Sequence, residues 1–127
     1  MIRYLLDADI SVYAMDPDRH DEVSTRLTSI PAGEVAISAI TFAEIAVGVR
    51  AGKPPPPEVL EAFIAAIPIV PFDERAARAY GEMPFRRARF DRLLAAHALS
   101  MGAVIVTNNQ ADFADVPGLT IENWTLA

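Results

Sequence analysis

The chain predicts an α/β fold: a parallel sheet of four to five short strands, flanked by helices on both faces. Three observations carry that reading. Short apolar runs alternate with helical patterns along most of the 127 residues, as expected where crossover helices join parallel strands. Two of the runs, Tyr4-Leu5-Leu6 and Val104-Ile105-Val106, are apolar throughout, the pattern of strands covered on both faces. Each run ends in a polar cluster: Asp7-Ala8-Asp9 after the first, and Thr107-Asn108-Asn109 followed by Asp112 after the second. Ligands of open α/β sheets bind outside the carboxyl ends of the strands. A parallel sheet would therefore deliver both clusters to one edge.

Met1–Leu6 reads as the first strand, stopped by Asp7. Ile10–Met15 is a helical turn or two, with Asp9 or Ser11 near its N-terminus. Asp16-Pro17-Asp18 breaks it. His20–Ser29 has helical spacing, with Val23 and Leu27 on one side, and ends before Pro31-Ala32-Gly33. Val35–Ile37 is the second strand. Ser38 or Thr41 caps the next helix, and Thr41-x-x-Glu44 has the capping-box form. Ile40, Ile45 and Val49 give that helix an apolar side. Pro54–Pro57 is a stiff, extended loop, and Pro57 or Glu58 opens a helix through Ala66. Ile67–Val70 is a third strand; Pro68 within it predicts a sheet edge. Asp73 caps a helix over Glu74–Glu82, which Pro84 breaks. Phe90–Met101 is a helix ending at Gly102, as a C-cap should. Val104–Val106 is an interior fourth strand. Pro117-Gly118 turns into a last strand, Leu119–Glu122.

One domain, residues 1–127, fits this length. The 52% hydrophobic content argues for a packed core and against disorder. No apolar run approaches the roughly 20 residues that span a bilayer, and Met1-Ile2-Arg3 leads into too short an apolar stretch for a signal peptide. With no cysteine, disulfides and thiolate metal sites are excluded, and a cytoplasmic location is expected. The net charge of -6 argues against a generic nucleic-acid binder. Locally the balance reverses: Arg86, Arg87, Arg89 and Arg92 crowd around Asp91. That cluster can hold a phosphate backbone beside an acid, or form a solvated, salt-bridged helix entrance.

Glu44 and Asp91 lie inside otherwise apolar helical stretches. A carboxylate on an apolar face must be paired, protonated or bound to a metal. Each acid also has a plainer reading. Asp7 and Asp91 suit helix N-termini, Glu44 closes a capping box, and Asp112 fits a polar turn. His97, a lone histidine on a helix, reads as a packed side chain. Together the acids point to chemistry. Two carboxylates about 4 Å apart repel by roughly 4 kcal/mol at an effective dielectric near 20, so several converge only where cations or protons offset the repulsion. Carboxylate oxygens without sulfur suit Mg²⁺ or Mn²⁺. Such ions polarise phosphoryl oxygens and activate water, which makes phosphodiester hydrolysis the natural reaction class. No P-loop, dinucleotide turn or Ser-His-Asp spacing competes.

A family resemblance sharpens this reading. Leu5-Leu6-Asp7-Ala8-Asp9-Ile10 resembles the opening motif of PIN-domain ribonucleases, in particular the VapC toxins of bacterial toxin–antitoxin pairs. Ile40-Thr41-Phe42-Ala43-Glu44-Ile45-Ala46-Val47-Gly48 is similar to their second motif. Phe90-Asp91-Arg92-Leu93-Leu94-Ala95-Ala96-His97-Ala98-Leu99 is similar to their third. Val106 to Phe113, with Val116-Pro117-Gly118-Leu119 and Ile121-Glu122-Asn123-Trp124, is similar to the C-terminal signature.

The resemblance implies a Mg²⁺- or Mn²⁺-dependent endoribonuclease toxin with Asp7, Glu44, Asp91 and Asp112 as its acids. Asp7 and Asp91 would be the direct metal ligands. Thr107, Asn108 and Asn109 would give polar support, and Arg86, Arg87, Arg89 or Arg92 would grip RNA phosphates. It also implies a homodimer and a VapB-like antitoxin, one of whose arginines would block the acids. Three departures stand out. Asp9 stands where the family usually has Asn or Ser, Ala8 replaces a frequent Thr, and Gly81–Arg89 is shorter than usual. Ala8 and Asn109 leave open an alternative, a catalytically degenerate PIN-like module that keeps only the antitoxin or dimer contacts.

Overall fold

The first strand, β1 (Tyr4–Leu6), is buried along its length and sorts its side chains between two cores. Tyr4 and Leu6 face a cluster with Ile10, Val23, Val35, Ile37, Val106 and Trp124. Leu5 faces the other, with Ala36, Leu94, Ala95, Ala98, Ile105, Phe113 and Val116. The period-2 geometry of a strand makes this division. The computed structural model describes residues 1–84 and 89–126.

Strand β1 is followed by β2 (Val35–Ser38), β3 (Ile69–Val70), β4 (Val104–Val106) and β5 (Ile121–Glu122). All pair in parallel, in the order β3-β2-β1-β4-β5. Register is set by Tyr4 opposite Val35 and Val104, and by Leu6 opposite Val106. The chain builds outward from β1 to β3, then returns to β1's other side for β4. That reversal opens a crevice at the carboxyl ends of β1 and β4, the usual ligand site of such sheets.

The helices are α1 (Ala8–Ala14), α2 (Asp21–Thr28), α3 (Ala39–Arg50), α4 (Pro57–Ala66), α5 (Glu74–Glu82) and α6 (Phe90–Met101). Ile10 of α1 and Val23 of α2, with Phe63 and Ile64 of α4, cover one face. Leu94, Ala95 and Ala98 of α6 cover the other. Among the described residues no helix is long and apolar enough to cross a membrane.

The α/β class and the ranges of α4, α5 and α6 are those the sequence predicts. Asp73 caps α5, its side chain accepting from the Ala76 N–H at 3.0 Å. β3 is an edge strand as Pro68 requires, but it begins at Ile69, because Ile67 N–H still bonds Phe63 O at 2.8 Å at the end of α4. The capping box at Thr41 does not form. β2 runs directly into α3, and Ser38 is the cap, accepting from Ile40 N–H at 3.0 Å. Thr41 falls inside the helix, its hydroxyl buried without a hydrogen-bond partner.

Gly102 ends α6 with φ +64°, and a Cβ added there would meet nothing within 4 Å. Gly102→Ala therefore costs only the left-handed backbone, about 1–2 kcal/mol. Leu5→Ala, at a fully buried position, costs about 2–5 kcal/mol. Urea unfolding of the two variants should rank them in that order.

Candidate active site

Asp7 is the first residue beyond β1. Its backbone N–H bonds Val106 O at 3.0 Å, so the carboxyl end of β1 is locked to β4. One oxygen of its side chain, Oδ1, accepts from Ile10 N–H at 2.9 Å and caps α1. The Ser11 hydroxyl donates to Asp7 O at 2.7 Å. Asp7 thus is a helix cap, as the plainer reading has it, and it also lines the crevice. Only 8% of it is exposed. Burial lifts its carboxyl from an ordinary 3.8 to about 6, against hydrogen bonds from Thr107 and the Ile10 backbone, with a further push from Asp9.

The other acids arrive from three separate elements. Glu44 projects from α3, Asp91 from the first turn of α6, and Asp112 from the 3₁₀ turn Gln110–Asp112 that follows β4. With Asp7, Asp9 and Asn109 they line one open crevice of about 300 Å³, whose remaining walls include Arg89, Phe90, Leu94 and Phe113. Glu44 records how the acids sense one another. Its carboxyl is held above the ordinary range, first by burial and then by the charges of Asp7, Asp9 and Asp91.

Asp91 has donors on both oxygens. Arg89 Nη2 donates to Oδ2 at 2.8 Å, and the Arg92 backbone N–H donates to Oδ1 at 3.1 Å. Thr107 is fully buried beneath the site; its hydroxyl oxygen accepts from Asn109 N–H at 2.9 Å. Asn108 turns away from the crevice, its Nδ2 donating to Tyr13 Oη at 3.2 Å.

The basic cluster divides. Arg86 and Arg87 lie outside the described residues. Arg89 is half-exposed on the crevice wall. Arg92, expected at RNA phosphates, is buried instead. It pairs with Asp115 at 3.1 Å and donates to Pro84 O at 3.1 Å. A guanidinium held this way packs α6 and does not face the crevice. His97 is also structural. It is buried, and its Nδ1 lies 2.8 Å from Ser38 Oγ. Its ring packs edge-on against Phe72. Burial pushes its pKa down, with Asp73 opposing.

The donor set suits a hard cation: carboxylate and amide oxygens, no sulfur, on walls that repel one another when ionised. Among the described residues no group of three or more acidic or histidine side chains is drawn together into a ready metal cage. A cation would therefore have to draw the side chains inward.

The sequence puts Asp9 in the polar cluster that ends the first strand and marks it as a departure from the family pattern; the structure places it on the crevice wall.

Comparison with known proteins gives one consistent answer. The PIN domain family matches across residues 4–119. A Shigella flexneri protein named tRNA(fMet)-specific endonuclease VapC is 31% identical, over 98% of this chain and 100% of its own. Ribonuclease VapC2 of Rickettsia felis is 30% identical over 95% and 97%. Among solved structures, VapBC2 from Rickettsia felis bound to a promoter DNA fragment contains a chain that superposes with TM-score 0.82 at 31% identity, over 98% of this chain and 99% of that one. A chain of DNA-bound VapBC from Salmonella typhimurium superposes with TM-score 0.79 at 28% identity, over the same shares.

The buried Asp7 charge sets a pH dependence. The folded protein keeps the Asp7 proton up to about pH 6, whereas the unfolded chain releases it near 3.8. Across that window the folded state binds more protons, so this group's contribution to stability falls as pH rises. Asparagine caps a helix as well as aspartate does. In chelator at neutral pH, Asp7→Asn should therefore be more stable than the parent by up to roughly 3 kcal/mol. The gap should close below about pH 4. Urea unfolding across pH checks this; a less stable Asp7→Asn at neutral pH would contradict it.

Proposed function

The chain belongs to the PIN-domain family and, within it, to the VapC group, and we propose that it is a divalent-metal-dependent endoribonuclease toxin held in check by a VapB-like antitoxin. The observation that carries this reading is the convergence of Asp7, Glu44, Asp91 and Asp112 from four elements on one crevice at the sheet's switch point. Full-length similarity to proteins named as VapC ribonucleases, and to chains in VapBC complexes, supports the same reading.

Asp7 and Asp91 would hold the cation directly, with Glu44 and Asp112 completing the acidic wall. Mg²⁺ or Mn²⁺ suits these oxygen donors. Bound there, such an ion would polarise a phosphoryl oxygen and lower the pKa of water. The chain's own residues do the rest. Asp7 is oriented by Thr107 and by the α1 backbone it caps. Glu44, whose proton affinity is raised by burial and by its neighbours, is suited to take a proton from the attacking water. Asn109 and Asp112 edge the crevice where RNA would lie. Arg89, at its mouth, can reach a flanking phosphate. Arg92 plays no part in that contact, being committed to Asp115.

The antitoxin and a homodimer belong to the same proposal. An antitoxin arginine entering the crevice would find a wall of carboxylates and form charge-assisted hydrogen bonds with them. That would exclude both cation and RNA.

The test is cleavage of total cellular RNA by purified, antitoxin-free protein in Mg²⁺, in Mn²⁺ and in chelator. Discrete fragments that require the metal are expected. Asp91→Asn should lower the rate by roughly a hundredfold or more, because the metal contributes several kcal/mol to transition-state stabilisation. A fully active Asp91→Asn protein would overturn the assignment. Folded protein that neither cleaves RNA nor gains thermal stability from millimolar Mn²⁺ would instead indicate a degenerate binding module.

A further inference from the structure

Two arginines flank Asp91 in sequence, and the fold treats them oppositely. Arg92 is buried and fixed by Asp115 and Pro84 O. Arg89 stands one residue before α6, in extended backbone (φ −147°, ψ 160°), and makes no side-chain capping bond to the helix. Its side chain is half-exposed, and its Nη2 lies 2.8 Å from Asp91 Oδ2. The other oxygen of Asp91 accepts the Arg92 backbone N–H. Both oxygens of this acid are therefore engaged by the chain itself. Backbone geometry fixes the Oδ1 bond, whereas the Oδ2 bond comes from a long side chain in solvent.

We propose that Arg89 is a built-in counter-ion that competes with the divalent cation for Asp91. Resting on the metal-site reading above, this assigns Arg89 two positions. Paired, it lies on Asp91 and offsets part of the repulsion among Asp7, Asp9, Glu44 and Asp91. Cation binding at Asp91 would displace the guanidinium toward the crevice mouth, where a phosphate can receive it. The displacement is cheap because an exposed ion pair is weak and no helical hydrogen bond is lost. The pair sets a threshold: the site fills only when the cation outcompetes an arginine of the same chain. Arg89 is thus a positioning residue acting through Asp91.

The test is calorimetric titration of Mn²⁺ into the full chain as parent, Arg89→Gln and Arg78→Gln. Arg78 is an exposed arginine paired with Glu74, outside the crevice, and controls for loss of one positive charge. Arg89→Gln should bind Mn²⁺ about two- to fivefold more tightly than the parent, the size expected for an exposed pair. The Mn²⁺ concentration giving half-maximal RNA cleavage should fall with it. High ionic strength should narrow the difference, since it screens an exposed pair. Arg78→Gln should match the parent. Equal or weaker Mn²⁺ binding by Arg89→Gln, or the same gain in Arg78→Gln, would overturn the inference while leaving the metal site standing. A parent protein that binds no Mn²⁺ would overturn the metal-site reading itself, and this inference with it.

Discussion

Repulsion between like charges is the constraint around which this molecule is arranged. β1 ends at Asp7, a carboxylate with 8% of its surface exposed and a pKa lifted to about 6. The fold then brings Asp9, Glu44, Asp91 and Asp112 to the same crevice. Nothing in the packing of a small α/β domain requires that. Desolvated like charges cost stability, and sites of this kind persist where the cost serves function. The crevice lies at the switch point of the β3-β2-β1-β4-β5 sheet, so the backbone aims separate elements there without strain. Every positive φ in the described chain belongs to a glycine.

Contacts beneath the acids join the elements that carry them. Ser38 caps α3 and meets His97 of α6 at 2.8 Å, tying the helix that carries Glu44 to the helix that carries Asp91. Burial disfavours the charged imidazole, and a neutral ring lets Nδ1 accept a hydrogen bond from the Ser38 hydroxyl while Ser38 Oγ accepts from Ile40 N–H. Arg92 and Asp115 tie the start of α6 to the segment after β4. Thr107 bonds Asp7 and accepts from Asn109 N–H, joining the two strand ends. These contacts are buried or partly buried. The acids and Arg89 face solvent to differing degrees, and they are the groups that a cation or a phosphate must rearrange.

Much of this was legible in the sequence because it is written locally. The alternation of short apolar runs with helical patterns gives the parallel sheet. Pro68 places β3 at an edge, and Gly102 stops α6. Asp73 caps α5 at the expected residue. The acids were legible because charges on apolar stretches are conspicuous. What failed depends on tertiary placement. Thr41-x-x-Glu44 has the form of a capping box, but the pattern cannot show that β2 flows into α3 one turn earlier. Arg92 looks like its neighbour Arg89 until helix rotation turns it toward Asp115, 23 residues away. Asn108 and Asn109 are adjacent, yet one bonds Tyr13 and the other lines the crevice. Arg86 and Arg87 remain expectations from the sequence.

The central claim is that these acids are gathered for a cation. The most direct measurement is anomalous diffraction from crystals of the antitoxin-free protein grown with millimolar Mn²⁺. The account predicts a manganese peak in the crevice within direct bonding distance of the Asp7 and Asp91 carboxylates, with Arg89 moved off Asp91. Crystals that hold Mn²⁺ elsewhere, or show an empty crevice with Arg89 still on Asp91, would contradict it.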